Sequence, residues 1–173
     1  MLTLVIGGAA SGKSEFAEEL VLNIKTLPRY YIATMQPFDD ECRARIRRHR
    51  EMRAEKQFET VECFVNPGRV TLPEKGVVLL ECMSNLTANE LYSLGGAGND
   101  TVECIRRGIR HLESQCEELI IVSNEVCSGG CDYEGDTLRY MRVLAEVNRM
   151  LAKEADIVYE VACGIPVCRK GRG

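Results

Sequence analysis

The chain has no apolar run of membrane-spanning length, and Met1 leads straight into a strand-like segment without the layout of a signal peptide. A cytoplasmic protein with no membrane span is therefore expected. Basic excess is also missing. With 22 Lys and Arg against 26 Asp and Glu, the formal charge is -4, which argues against general nucleic-acid binding. Internal repeats and low-complexity tracts are absent, and histidine occurs only twice, as His49 and His111. Metal-site spacing is incomplete: Cys127 and Cys131, like Cys163 and Cys168, have neither a matching second pair nor a nearby histidine, which disfavours structural zinc. Cysteine itself is abundant, with nine residues. The odd number, the irregular spacing and the apolar strand patterns around Cys82 and Cys163 fit reduced thiols better than a disulfide framework. At 173 residues and 45% apolar content, the expectation is a single domain over residues 1–173 with one core.

What is present begins with Gly7-Gly8-Ala9-Ala10-Ser11-Gly12-Lys13-Ser14, which fits G-x-x-x-x-G-K-[ST] directly after the apolar run Leu2-Thr3-Leu4-Val5-Ile6. A strand feeding a glycine-rich turn feeding a helix aims backbone N–H groups and a positive helix end at one spot, where a polyphosphate can sit. Lys13 would reach the outer phosphates and the Ser14 hydroxyl would ligate Mg²⁺. An ordinary tight turn could match the string by chance, but strand, glycines, lysine and helix all fall in register. The second piece is Val77-Val78-Leu79-Leu80-Glu81, a continuous apolar run ending in an acid. Such a run is a strand buried on both faces, and Glu81 stands where Mg²⁺ or its water shell needs a carboxylate.

Between and beyond these, apolar spacing predicts helices over 13–25, 84–94, 137–152 and, behind an Asp100 cap, 100–116. A long charged helix is expected from about Asp39 to Lys56. Strands are expected at 29–34, 58–64 and 119–123, with a closing hairpin from Ile157-Val158-Tyr159-Glu160-Val161-Ala162 to Ile165-Pro166-Val167-Cys168 around Gly164. Residues 127–136 read as a mobile loop and the basic tail 169–173 as a frayed end. Alternating strands and helices imply an α/β fold with a largely parallel sheet covered on both faces.

In the charged helix, Arg45, His49 and Arg53 are spaced i, i+4, i+8 and share a face. Guanidinium groups bind phosphate oxygens and disfavour protonation of the ring, and a neutral imidazole is what a nucleophile at phosphorus requires. Composition alone favours the plainer reading, a solvated arginine-rich face in which His49 has no task. His111, on a charged amphipathic helix, is assigned no role.

The ordered motifs nevertheless resemble a known family. Gly-Gly-Ala-x-Ser-Gly-Lys-Ser at 7–14, Tyr-Ile-Ala-Thr at 31–34, and Asp-x-Glu within Asp39-Asp40-Glu41 occur in its order. Arg-Ile-x-x-His-x-x-x-Arg at 45–53, Val-Glu at 61–62, Leu-Leu-Glu-Cys at 79–82, Asn89 and Ser-Asn-Glu-Val at 123–126 follow. Together they look like the adenosylcobinamide kinase / adenosylcobinamide-phosphate guanylyltransferase family of cobalamin synthesis. The resemblance implies a RecA-like P-loop domain, a homotrimer, a corrinoid substrate, and GTP, ATP and Mg²⁺ as cofactors. It also implies that Gly7, Gly8, Ala9, Ala10, Ser11, Gly12, Lys13 and Ser14 bind phosphates beside Ala33, Thr34 and Met35. His49 would become guanylylated, and Arg50, Glu51, Met52, Arg53, Glu62 and Glu81 would complete the GTP pocket.

Departures from the family pattern come late. The family usually continues with Gly-x-Gly after Val126, whereas this chain has Cys127-Ser128-Gly129-Gly130-Cys131; Tyr140-Met141-Arg142 replaces an aromatic-Arg-Asp triplet, and Ala145 stands where a glycine precedes Asn148. These differences bear on the acceptor side. Two other readings remain from the residues themselves: a P-loop small-molecule kinase without nucleotidyl transfer, and a nucleotide-gated binding module.

Overall fold

In the computed structural model the described residues are 1–37, 43, 47, 55–125 and 135–171. The described strands are β1 (Leu2–Gly7), β2 (Arg29–Ala33), β3 (Phe58–Glu62), β4 (Val77–Glu81), β5 (Glu118–Asn124), β6 (Ile157–Ala162) and β7 (Ile165–Lys170). They form one seven-stranded sheet in the order β3-β2-β4-β5-β1-β6-β7. Neighbours pair in parallel throughout, except that β7 folds back antiparallel on β6. The described α-helices are α1 (Lys13–Asn23), α2 (Met83–Tyr92), α3 (Thr101–Gln115) and α4 (Gly135–Glu154). The parallel sheet, the helices and the C-terminal hairpin agree with the expected RecA-like α/β fold.

Side chains alternate across a strand, so a strand covered on both faces must be apolar at every position. β4 obeys this: Val77, Val78, Leu79 and Leu80 are all 0% exposed. On one face Val5, Tyr31, Leu79, Ile120 and Val122 pack with Ala17 and Val21 of α1. On the other, Leu4, Ile32, Leu80 and Ile121 pack with Leu86 of α2, Ile105 and Ile109 of α3, and Val147 and Leu151 of α4. Each fully buried aliphatic side chain contributes about 1.5–3 kcal/mol. The central strands are thereby held rigid, and their carboxyl ends become a fixed platform.

Some local expectations need correction. Asp100 occupies the N-cap position of α3 but makes no side-chain cap bond. Instead, the Thr101 hydroxyl donates to Gly98 O at 2.7 Å. Cys163 is an exposed residue with positive φ beside the turn glycine, not part of a strand. Arg169 and Lys170 are not frayed. They extend β7, because Arg169 pairs with Glu160 at 2.6 Å and Lys170 Nζ donates to Ala152 O and Lys153 O, carbonyls in the last turn of α4.

Of the expected helix from Asp39 to Lys56, Arg43, Arg47 and Glu55 are helical. The Arg45, His49 and Arg53 face lies outside the described residues, as do most of the 127–136 loop and the last two residues of the tail.

Candidate active site

The loop between β1 and α1 owes its shape to glycine at two places. A Cβ on Gly7 would lie 2.6 Å from both Val161 O and the Ser11 hydroxyl. Gly12 adopts φ 87° at the N-cap of α1, a left-handed conformation that favours glycine, and a Cβ there would lie 3.1 Å from Gly164 Cα. Gly164 N–H donates to Ser11 O at 2.8 Å, so the turn of the β6–β7 hairpin braces the loop from behind. The first-turn N–H groups of α1 lack intrahelical acceptors and give the helix a positive end. Lys13, only 8% exposed, folds back so that Nζ donates to Gly8 O at 2.9 Å.

Strand order decides what faces this loop. β5 lies between β1 and β4, and across it the Ser14 hydroxyl donates to Glu81 Oε1 at 2.5 Å. The other carboxylate oxygen, Oε2, accepts the Tyr31 hydroxyl at 3.1 Å. Parallel register aligns Ala33 of β2 with Glu81 on one side and with Glu62 of β3 on the other. Just past β2, fully buried Thr34 clamps the end of β4: Cys82 N–H donates to its Oγ1 at 2.9 Å, and that hydroxyl lies 3.0 Å from Cys82 O. Asn89 of α2 donates to Thr34 O at 2.8 Å and holds the clamp from the helix side.

These strand ends enclose a cavity of about 390 Å³ lined by Lys13, Ser14, Ala33, Thr34, Met35, Glu62 and Glu81, all of them anticipated from sequence. Gly7, Gly8, Ala9, Ala10, Ser11 and Gly12 form the adjoining loop but do not line the cavity. His49, Arg50, Glu51, Met52 and Arg53 lie outside the described residues. Sequence reasoning did not assign Tyr31, Phe64, Cys82, Asn85, Val122 and Asn124, which also line the space. Asn124 ends the apolar run of β5 as Glu81 ends that of β4. Position at a strand's carboxyl end was thus an available signal, since ligands of open α/β sheets bind there.

A polar network backs the far wall. Asn124 Nδ2 donates to the Ser84 hydroxyl at 2.7 Å, and Asn148 of α4 donates to Asn124 O at 3.1 Å. Tyr140, also on α4, donates to Ser84 O at 3.3 Å, and burial raises its phenol pKa. A hydroxyl and a carboxylate converging beside a phosphate loop form an all-oxygen donor set, the chemistry Mg²⁺ prefers. No group of three or more His, Cys, Asp or Glu that could hold a metal occurs among the described residues. A cation held at Ser14 and Glu81 would be shared with nucleotide phosphates, the usual arrangement for Mg²⁺. Ser14 and Glu81 fit that role.

The phosphate-loop motif and the carboxylate facing it have the form of a nucleotide site, and a match over most of the chain names the family. The model of the family described as cobinamide kinase / cobinamide phosphate guanyltransferase matches residues 3–168. The chain belongs to this family. It is 36% identical over 183 aligned positions to the bifunctional adenosylcobalamin biosynthesis protein CobU of Salmonella typhimurium, covering 96% of this chain and 98% of the relative. The fold is similar to that of the flagellar accessory protein FlaH from Methanocaldococcus jannaschii, with TM-score 0.53, 11% identity, and 99% and 78% of the two chains covered. A DnaB-like replicative helicase superposes with TM-score 0.50 at 11% identity, covering 92% of this chain and 46% of the helicase. At such identity these two likenesses concern the fold alone. The family membership concerns the chemistry.

Proposed function

We propose that the chain carries out both reactions of its family at the one cavity. In the first, the amino-propanol hydroxyl of adenosylcobinamide attacks the γ-phosphorus of ATP or GTP. The new P–O bond forms as the bond to the bridging oxygen breaks, a nucleoside diphosphate leaves and the hydroxyl proton is lost. In the second, a neutral His49 nitrogen attacks the α-phosphorus of GTP and pyrophosphate leaves. A phosphate oxygen of adenosylcobinamide phosphate then displaces the imidazole and takes the GMP, giving adenosylcobinamide-GDP. A phosphoramidate on imidazole splits one difficult displacement into two easier ones.

The described residues support the shared parts of this scheme. Lys13 and the loop amides would bind the β- and γ-phosphates and stabilise charge on the departing group. Ser14 and Glu81 would hold Mg²⁺, which when bound neutralises charge on phosphate oxygens. Thr34 and Asn89 would keep the end of β4 in place. Ala33, Met35 and Glu62, with Arg50, Glu51, Met52 and Arg53, would complete the nucleotide pocket. A cytoplasmic homotrimer acting on a small corrinoid, with no nucleic-acid partner, completes the reading.

The observation that carries it is the Ser14–Glu81 contact at 2.5 Å beside the Lys13 loop, in a chain that the family matches over residues 3–168. The test is incubation with α-³²P-GTP and Mg²⁺ followed by mass measurement. An acid-labile, GMP-sized adduct is expected, absent from His49→Ala. Adduct persisting on that variant would reassign the nucleophile, and its absence from the wild type would leave a kinase without nucleotidyl transfer.

A further inference from the structure

We propose that Tyr31 is a positioning residue for Glu81: its hydroxyl holds the carboxylate so that Glu81, in turn, sets the Ser14 hydroxyl for a divalent cation at the nucleotide phosphates. This rests on reading the cavity as a metal–nucleotide site. Two hydroxyls converge on one carboxylate, Ser14 on Oε1 at 2.5 Å and Tyr31 on Oε2 at 3.1 Å. A serine that donates its hydrogen to Glu81 keeps its oxygen lone pairs available to a cation. Glu81 thus orients Ser14, and Tyr31 orients Glu81.

The tyrosine is suited to this because its ring is packed into the core. It is 4% exposed, within the cluster under α1, and meets the Phe58 ring edge-on at 6.4 Å and 86°. In register it pairs with Leu79, two residues before Glu81 on β4, so the ring fills core while the hydroxyl extends to the strand's carboxyl end. A phenylalanine would fill the same core. The hydroxyl is what reaches the site. β2 and the residue that follows it therefore pin the end of β4 twice, through the Thr34 clamp on the main chain at Cys82 and through Tyr31 on the Glu81 side chain. A glutamate side chain is rich in rotamers, and a second fixed donor removes the freedom that would otherwise be lost on binding the cation. Partners that orient a metal ligand affect metal affinity without touching the metal.

The experiment measures Mn²⁺ uptake by the protein–nucleotide complex, from the spin-resonance signal of free Mn²⁺, for wild type, Tyr31→Phe, Glu81→Gln and the double variant. Nucleotide affinity in EDTA and the thermal midpoint are followed in parallel. Tyr31→Phe should weaken Mn²⁺ binding roughly tenfold and raise the Mg²⁺ needed for half-maximal turnover. Its affinity for nucleotide without metal and its thermal midpoint should stay near wild type, and a purely structural role would instead move both. In the Glu81→Gln background the same change should add nothing. Unaltered Mn²⁺ binding by Tyr31→Phe, or an equal loss in the Glu81→Gln background, overturns the proposal, as does a wild-type complex that takes up no Mn²⁺. Mn²⁺ uptake with the expected variant pattern, but no GMP adduct, would sink the transferase reading and leave this inference standing.

Discussion

Glu81 shows how much a single position can owe to distant ones. Its chain neighbours predict a buried strand ending in an acid, but its two oxygens are taken by Ser14 and Tyr31, 67 and 50 residues earlier. The cysteines show the converse, residues whose behaviour follows from burial. Burial and the neighbouring Glu90 carboxylate push the Cys63 and Cys104 thiols up to about 11, and burial does the same to Cys116. A raised thiol pKa means that the folded chain holds its protons more tightly than the unfolded one. The stability this provides is complete below the ordinary value of 9.0 and is lost as pH rises toward 11. Urea midpoints should therefore fall across that window. Replacing the three thiols by alanine should flatten the decline, and a wild-type midpoint unchanged between pH 9 and pH 11 would contradict it. Exposed Cys163 and Cys168 are outside this argument.

Among the elements, helices and strands were legible wherever periodicity was strong, and less so where a partner decides the ends. α3 was expected over 100–116 and spans Thr101–Gln115. The basic tail looked like a loose end because nothing local requires Arg169 and Lys170 to be extended. Glu160 on β6 and the last carbonyls of α4 do. Packing between elements also overrides propensity at Gly108, in the middle of α3. Alanine there would ordinarily strengthen a helix by about 1 kcal/mol. Here the added Cβ would lie 2.2 Å from Pro67 Cγ and 3.0 Å from Gly68 N, in the short 3-10 turn Pro67–Arg69 that packs on the helix. Overpacking outweighs propensity, and Gly108→Ala is expected to lose about 1–3 kcal/mol in urea denaturation. A gain in stability would show that the turn simply moves aside.

At the scale of the whole molecule, the proposed homotrimer gives a direct expectation: sedimentation equilibrium should return three times the chain mass of 19.3 kDa. A monomer would contradict that proposal. The phosphate loop, the strand–helix alternation and the acid at the end of β4 were determined by sequence alone, because a βα turn is contiguous chain and burial on two faces leaves an unbroken apolar run. Which side chains meet at the cavity was decided only in three dimensions. The order β3-β2-β4-β5-β1 sets Tyr31, Thr34, Glu62 and Asn124 around Ser14 and Glu81. Strand order follows from how the helices cover the two faces of the sheet, a balance of long-range packing to which no short stretch of residues holds the key.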